Sequence, residues 1–148
     1  MDIHNIRATS NTLDEGEWIG EIAHLDGVRL KVRGVTSPQV SWALGIAARR
    51  AGKHVREESG VLTEIGEREV EDIAYRRHAL LDWEGFTDDG KPVPFSPEAA
   101  DNLFSIPLLA NGLRVAVMRA TVMASERLGA LRGNSPAPSG KRSGAARK

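Results

Sequence analysis

Residues 82–97 read DWEGFTDDGKPVPFSP, and the way this stretch behaves decides the fold. Trp83, Phe86 and Phe95 bracket an acidic glycine turn and the prolines Pro92, Pro94 and Pro97. Aromatic rings carry a large apolar area that has to be packed against something. Proline restricts its own φ and the residue before it, so Lys91-Pro92-Val93-Pro94 is held extended with little entropy left to lose. The stretch is expected to be an ordered clasp that fixes the angle between two helical halves. Its residues are Trp83, Gly85, Phe86, Gly90, Pro92, Pro94 and Phe95; direct contact with another protein is the alternative role.

Upstream of the clasp, a helix is expected from about Thr63 to Trp83, with Val70, Ile73, Ala74, Leu80 and Leu81 on one stripe and a charged face opposite. Downstream, Ser96-Pro97-Glu98 joins a capping hydroxyl, a proline at the first helical position and an acid in the first turn. This opens a short helix to about Ser105. Pro107 restarts the chain into its longest apolar-periodic segment, Leu108 to Leu131. There Leu109, Leu113, Val117, Ala120, Ala124, Leu128 and Leu131 share one stripe, while Val115, Met118 and Val122 lie off it. A helix apolar on more than one side is central in a core or buried between subunits. Leu109, Leu113, Val117, Val122 and Leu128 are the candidate protein-binding face; the alternative is that they form the domain's own core.

Towards the N-terminus, Val28, Leu30 and Val32 alternate with Arg29, Lys31 and Arg33, the period of a half-buried strand. Asp26-Gly27 separates this run from Trp18 to Ala23, which reads as a two-stranded hairpin. Such a hairpin is marginal alone and needs helices or another strand beside it. Ser37-Pro38 caps a further helix with Val40, Leu44, Ala47, Ala48, Ala51 and Val55 on one stripe and Arg49, Arg50 and Lys53 on the wet side. Residues 1–16 lack apolar periodicity and are expected to form a flexible arm, docked at most through Ile3, Ile6 or Leu13.

The expected fold is mainly α with a small N-terminal β-hairpin, an α+β helical domain over residues 17–131 between disordered N- and C-terminal tails. The 148 residues suffice for one such domain. Residues 132–148, RGNSPAPSGKRSGAARK, hold five Lys or Arg and no acid, so 15 basic residues face 20 acidic ones over the rest of the chain. An acidic body with a basic tail follows. No Cys is present, which excludes disulfides, thiolate metal sites and thiol nucleophiles. The first 16 residues lack the apolar core of a secretory signal, and no stretch is long enough to span a bilayer, so a soluble, intracellular protein without a membrane partner is expected.

Catalytic chemistry is not legible. His4, His24, His54 and His78 have no metal-ligand spacing to one another. Asp82, Glu84, Asp88 and Asp89 lack the ligand alternation and closing Glu of a calcium loop, and Asp88-Asp89-Gly90 reads as a turn. No glycine-rich phosphate loop follows a strand, and Ser37, Ser59 and Ser96 are explained by caps and breaks. The chain is expected not to be an enzyme and to use no cofactor or metal. KRSGAARK at the C-terminus could contact phosphates, yet it has no aromatic for base stacking, and nucleic acid is not the expected partner.

The run GVRLKVRGVTSPQV at residues 27–40, with AYRRHALLDWEGFTDDGKPVPFSPEAADNLFSIP at 74–107, resembles the tail assembly chaperones of long-tailed bacteriophages and prophages. The resemblance lies in Val32, Arg33 and Gly34, in Leu80, Leu81, Trp83 and Gly85, and in the connector Asp89-Gly90 with Pro92-Val93-Pro94-Phe95-Ser96-Pro97-Glu98. It covers roughly residues 27–125, and the connector is its most specific part. The resemblance implies a protein that coats the tape measure protein, keeps its apolar helices soluble and helps recruit the major tail protein. It also implies a homo-oligomer that works in the host cytoplasm and is absent from the finished virion. In many such proteins a frameshift near the end of the gene adds a second domain; the basic tail is where such an extension would attach, and Gly140-Lys141 could be encoded by a slippery G/A run. A structural protein of the phage tail or neck, and a small nucleic-acid-binding regulator, are the alternative functions.

Overall fold

The alternation that marks residues 28–33 builds the centre of the molecule. In the computed structural model, which describes residues 1–133, strand β2 (Arg29–Val32) is the middle of a three-stranded antiparallel sheet, between β1 (Glu17–Ile19) and β3 (Leu80–Glu84). Leu30 and Val32 are fully buried, and Leu30 stands opposite Ile19 on one side and Trp83 on the other. The hairpin is present, but residues 20–28 form a looping connection, and the expected strand to Ala23 stops at Ile19. Asp26-Gly27 makes only its last turn, closed by the Val28 amide donating to the Leu25 carbonyl at 3.1 Å. The reason is burial: Ile22, Leu25 and Val28 all enter the core, and their three-residue steps cannot share one face of a straight strand.

The expected helix over 63–83 is the main correction. Thr63 caps α3 (Glu64–Ala74), its hydroxyl accepting from the Gly66 amide at 3.1 Å. The helix then widens into a π-helical turn, Tyr75–Ala79, and Leu80–Glu84 leaves it as β3. β2 offers this segment an open edge, and pairing there buries Leu80 and Trp83 together, with a bulge between Lys31 and Val32 absorbing the register change. The Arg33 amide continues the ladder onto the Ala79 carbonyl at 2.9 Å. Ile73, expected on the buried stripe, is 38% exposed.

Ser37 precedes α2 (Pro38–Arg50) as expected, but its hydroxyl bonds Gln39 Oε1 at 2.8 Å and caps no amide. This helix ends before Gly52. Val55 is buried from a separate 3-10 turn, Lys53–Val55, and not from the helix itself. The Arg56 guanidinium donates to the carbonyls of Ala48 and Ala51 at the end of α2 and to that of Gly60 in the following turn, tying the two together. Ser96 caps α4 (Pro97–Leu103) through the Ala99 amide at 3.0 Å. The chain bends by 114° into α5 (Pro107–Gly133).

α5 lies against the sheet along Leu113, Ala116, Val117, Ala120 and Ala124, all buried. Just beyond β2 the chain passes close to α5 at Gly34, where a Cβ would stand 2.8 Å from the Thr121 Cα. Residues 1–16 are corrected as well: Ile3–Glu15 form helix α1, capped by Asp2 accepting from the His4 amide at 3.0 Å. α1 buries no residue and rests on the C-terminal part of α5, with the Asp14 carbonyl accepting from Arg33 Nε at 2.7 Å. Arg132 and Gly133 complete α5, and the remainder of the expected basic tail, Gly140-Lys141 included, lies outside the described residues. The architecture is mainly α with a small antiparallel sheet, as the sequence predicts.

Candidate functional site

The connector residues separate into two groups. Trp83 is buried at the end of β3, with Phe86 edge-on at 5.4 Å, Phe95 at 5.0 Å and Phe104 at 5.9 Å between ring centroids. Its indole N–H donates to the Val93 carbonyl at 2.8 Å, and the Val93 amide donates to the Phe86 carbonyl at 2.9 Å. Gly85 turns the chain at φ +99°, and a Cβ there would lie 2.1 Å from the Gly27 carbonyl oxygen. Gly90, Pro92 and Pro94 are exposed: with Asp89 they shape a small ribbon, β4 (Thr87–Asp88) with β5 (Lys91–Pro92), outside the aromatic cluster. Phe104, 1% exposed, is the cluster member that the sequence did not single out. Its position after Leu103 in a short apolar run was the available signal.

Charged ties hold α4 beside the π-helical turn. Asp101 accepts from Arg76 Nε at 3.1 Å and Arg77 Nε at 3.2 Å. Desolvation works to raise its pKa, but the two hydrogen bonds prevail and hold the carboxyl below its ordinary range. Across α3, burial pushes the Glu71 carboxyl up, an effect the Arg114 guanidinium opposes. Burial, with the Glu71 charge beside it, pushes the Tyr75 hydroxyl up to about 12. Arg114 is itself paired with Asp72.

The candidate face on α5 divides differently. Leu109, Leu113 and Val117 are buried at 9%, 2% and 1%, so they belong to the domain's own core and present no surface. Val122 and Leu128 are exposed. The physical cause is packing within the domain: α5 lies against β1 and β2 and against the π-helical turn, and the Leu113-Val117-Ala120 stripe is buried there.

The apolar surface left open lies elsewhere, between α2 and α3. Trp42 and Ile46 stand one turn apart on α2, and Val70, Ile73 and Ala74 face them from α3 around a groove of about 370 Å³. Trp42 is 66% exposed, unusual for the residue with the largest apolar side chain. Arg50, Arg77 and His78 supply basic groups to its rim, against the single acid Glu69. The signal for this groove was present in the sequence: Trp42 and Ile46 repeat at a four-residue step off the Val40-Leu44 stripe. Among the described residues, no three His, Asp or Glu side chains converge to hold a metal ion.

An interhelical groove, an aromatic clasp and a small sheet define a mainly α domain with one apolar groove open at its surface. The model of the YdaY prophage protein family matches residues 40–130, and the chain belongs to that family. The matched region runs from α2 into α5 and includes both the clasp and the groove. No curated protein and no solved structure matches the chain.

Proposed function

We propose that this prophage protein is a tail assembly chaperone, one that acts by binding and not by catalysis. Its client is an amphipathic helix of the tape measure protein, seated in the groove between α2 and α3. The exposed Trp42 beside Ile46 and Ile73 carries the proposal, because an apolar groove between two helices takes a further helix by anchors at i, i+3 or i+4, and i+7. The basic rim favours a client helix with acidic flanks. Membership of a prophage protein family and the resemblance of the Trp83-to-Glu98 connector to tail assembly chaperones support the same reading. The aromatic clasp holds the α3 end of the groove in place through the π-helical turn. Recruitment of the major tail protein would follow once the client is coated.

The test is co-expression of the full chain with helical segments of the tape measure protein from the same prophage. The segments are expected to move into the soluble fraction and to co-purify with the chain, and Trp42→Asp is expected to abolish both effects. Trp and aliphatic anchors of this kind contribute about 2 kcal/mol or more each, roughly a thirtyfold change in affinity. Insolubility of the segments whether or not the chain is present would refute the chaperone function. Full solubilisation by Trp42→Asp would refute the groove.

A further inference from the structure

Charge is segregated along the chain between the two helices that wall the groove. Residues 27–56 hold seven Lys or Arg and no acid, whereas residues 57–72 hold seven Asp or Glu against Arg68 alone. α2 therefore forms a positive wall and α3 a negative one. The two helices run antiparallel. Just past α2, the Val55 carbonyl accepts from the Thr63 amide at 2.8 Å where α3 begins; shortly before α2, the Arg33 amide donates to the Ala79 carbonyl at the far end of α3. Arg50 on α2 and Glu69 on α3 consequently line one end of the groove, and Trp42 and His78 line the other. From position 42 to position 50 the wall is about 12 Å long, at a rise of roughly 1.5 Å per residue. Arg50 and Glu69 are both exposed, and among the described residues neither makes an ion pair. Arg77, the other arginine at the rim, is committed to Asp101 at 3.2 Å.

We propose that Arg50 and Glu69 read the two flanks of the client helix and so fix the direction in which it lies. On the helix-binding reading of the groove given above, on which this rests, the client is acidic on the flank that faces α2 and basic on the flank that passes Glu69. A helix laid in a groove on its apolar stripe has a left and a right flank, and turning it end for end exchanges them. A client whose flanks carry opposite charge therefore meets Arg50 with an acid and Glu69 with a base in one direction only. In the other direction both contacts join like charges, which disfavours that arrangement. One exposed ion pair is weak, but reversal turns two attractions into two repulsions, which together give a roughly tenfold preference. The apolar anchors cannot supply this discrimination, because a stripe at i, i+4 and i+7 reads almost the same from either end. Trp42 and its neighbours thus provide the affinity, and the opposed charges provide the direction.

The test uses the full chain, which has no Cys, in two single-cysteine variants at opposite ends of the groove: Ala51→Cys at the Arg50 end and His78→Cys at the Trp42 end. The probes are two helical peptides of identical composition, each with one leucine stripe and an N-terminal cysteine. One carries glutamates on its left flank and lysines on its right, and the other has the flanks exchanged. Each peptide is expected to form its disulfide roughly tenfold faster at one end of the groove than at the other, and the two peptides at opposite ends. The preference is expected to fade in about 1 M salt, where charges are screened within about 3 Å, and to reverse when Arg50→Glu is combined with Glu69→Arg. Peptides that bind, and are lost with Trp42→Asp, yet cross-link equally at both ends would overturn the directional assignment and leave the groove as a helix site. A preference that survives the charge exchange would overturn it as well. Peptides that do not bind at all would refute the helix-binding reading and the direction with it.

Discussion

Trp83 gives the sharpest test of the clasp. Replacing it with Phe keeps a six-membered ring in the cluster but deletes the N–H that the Val93 carbonyl accepts at 2.8 Å. A half-buried carbonyl that loses its donor costs about 1–3 kcal/mol. Replacing it with Ala also removes the ring from contact with Phe86, Phe95 and Phe104, and large-to-small changes at buried Trp cost about 3–5 kcal/mol. For a domain of this size, 1 kcal/mol moves Tm by roughly 3–5 °C, so Trp83→Ala is expected to melt about 10–20 °C lower and Trp83→Phe to fall between it and wild type. Thermal melts followed by far-UV circular dichroism, with urea titrations for the free energies, measure both. If Trp83→Ala lost less than about 1 kcal/mol, well under the range for such a change, the connector would not be a packed clasp and the account of its aromatic residues would be wrong.

Gly85→Ala introduces a Cβ 2.1 Å from the Gly27 carbonyl oxygen at φ +99°, and is expected to cost at least about 2–3 kcal/mol in urea titrations. Asp101 has a depressed pKa in the folded state, so its contribution to stability is complete above the ordinary carboxylate value of 3.8 and is lost as pH falls through the lower folded value. The Tm difference between wild type and Asp101→Asn should therefore stay level at neutral pH and shrink only in strong acid. Glu71 shows the opposite sign: with its folded pKa raised above 4.5, ionisation disfavours the fold, and the penalty develops as pH rises from the unfolded value through the folded one. Glu71→Gln is expected to match or exceed wild type in Tm at pH 7, with the difference disappearing in acid.

Local rules identified most of the elements, and the departures share a cause. Ser96 caps its helix as its spacing implies, Ser37 precedes its helix but caps no amide, and Pro107 begins the long helix. The misplaced segment, Leu80–Glu84, carries apolar residues that satisfy a helical stripe and a strand face equally well. The choice was made by the unpaired edge of β2, which lies some fifty residues earlier in the chain and is invisible to a local window. α1 was missed because it buries nothing, so the periodicity that marks helices was absent, while its Asp2 cap was present but lacked any apolar run to point to. For the candidate site, periodicity marks the apolar side of α5 and the hairpin separately, but a local window does not show that the two pack on each other. Trp42 was passed over because it stood outside the stripe taken as the core.

The most direct measurement of the central claim is site-specific photo-cross-linking in the presence of a tape measure segment, with the reactive group placed at position 42 in one variant and at position 61 in another. Both positions are exposed, at 66% and 59%, but only Trp42 lines the α2–α3 groove. The account predicts a cross-link from position 42 and none from position 61, and loss of the adduct when Ile73→Asp is added. A client captured equally from both positions, or from neither, would contradict it.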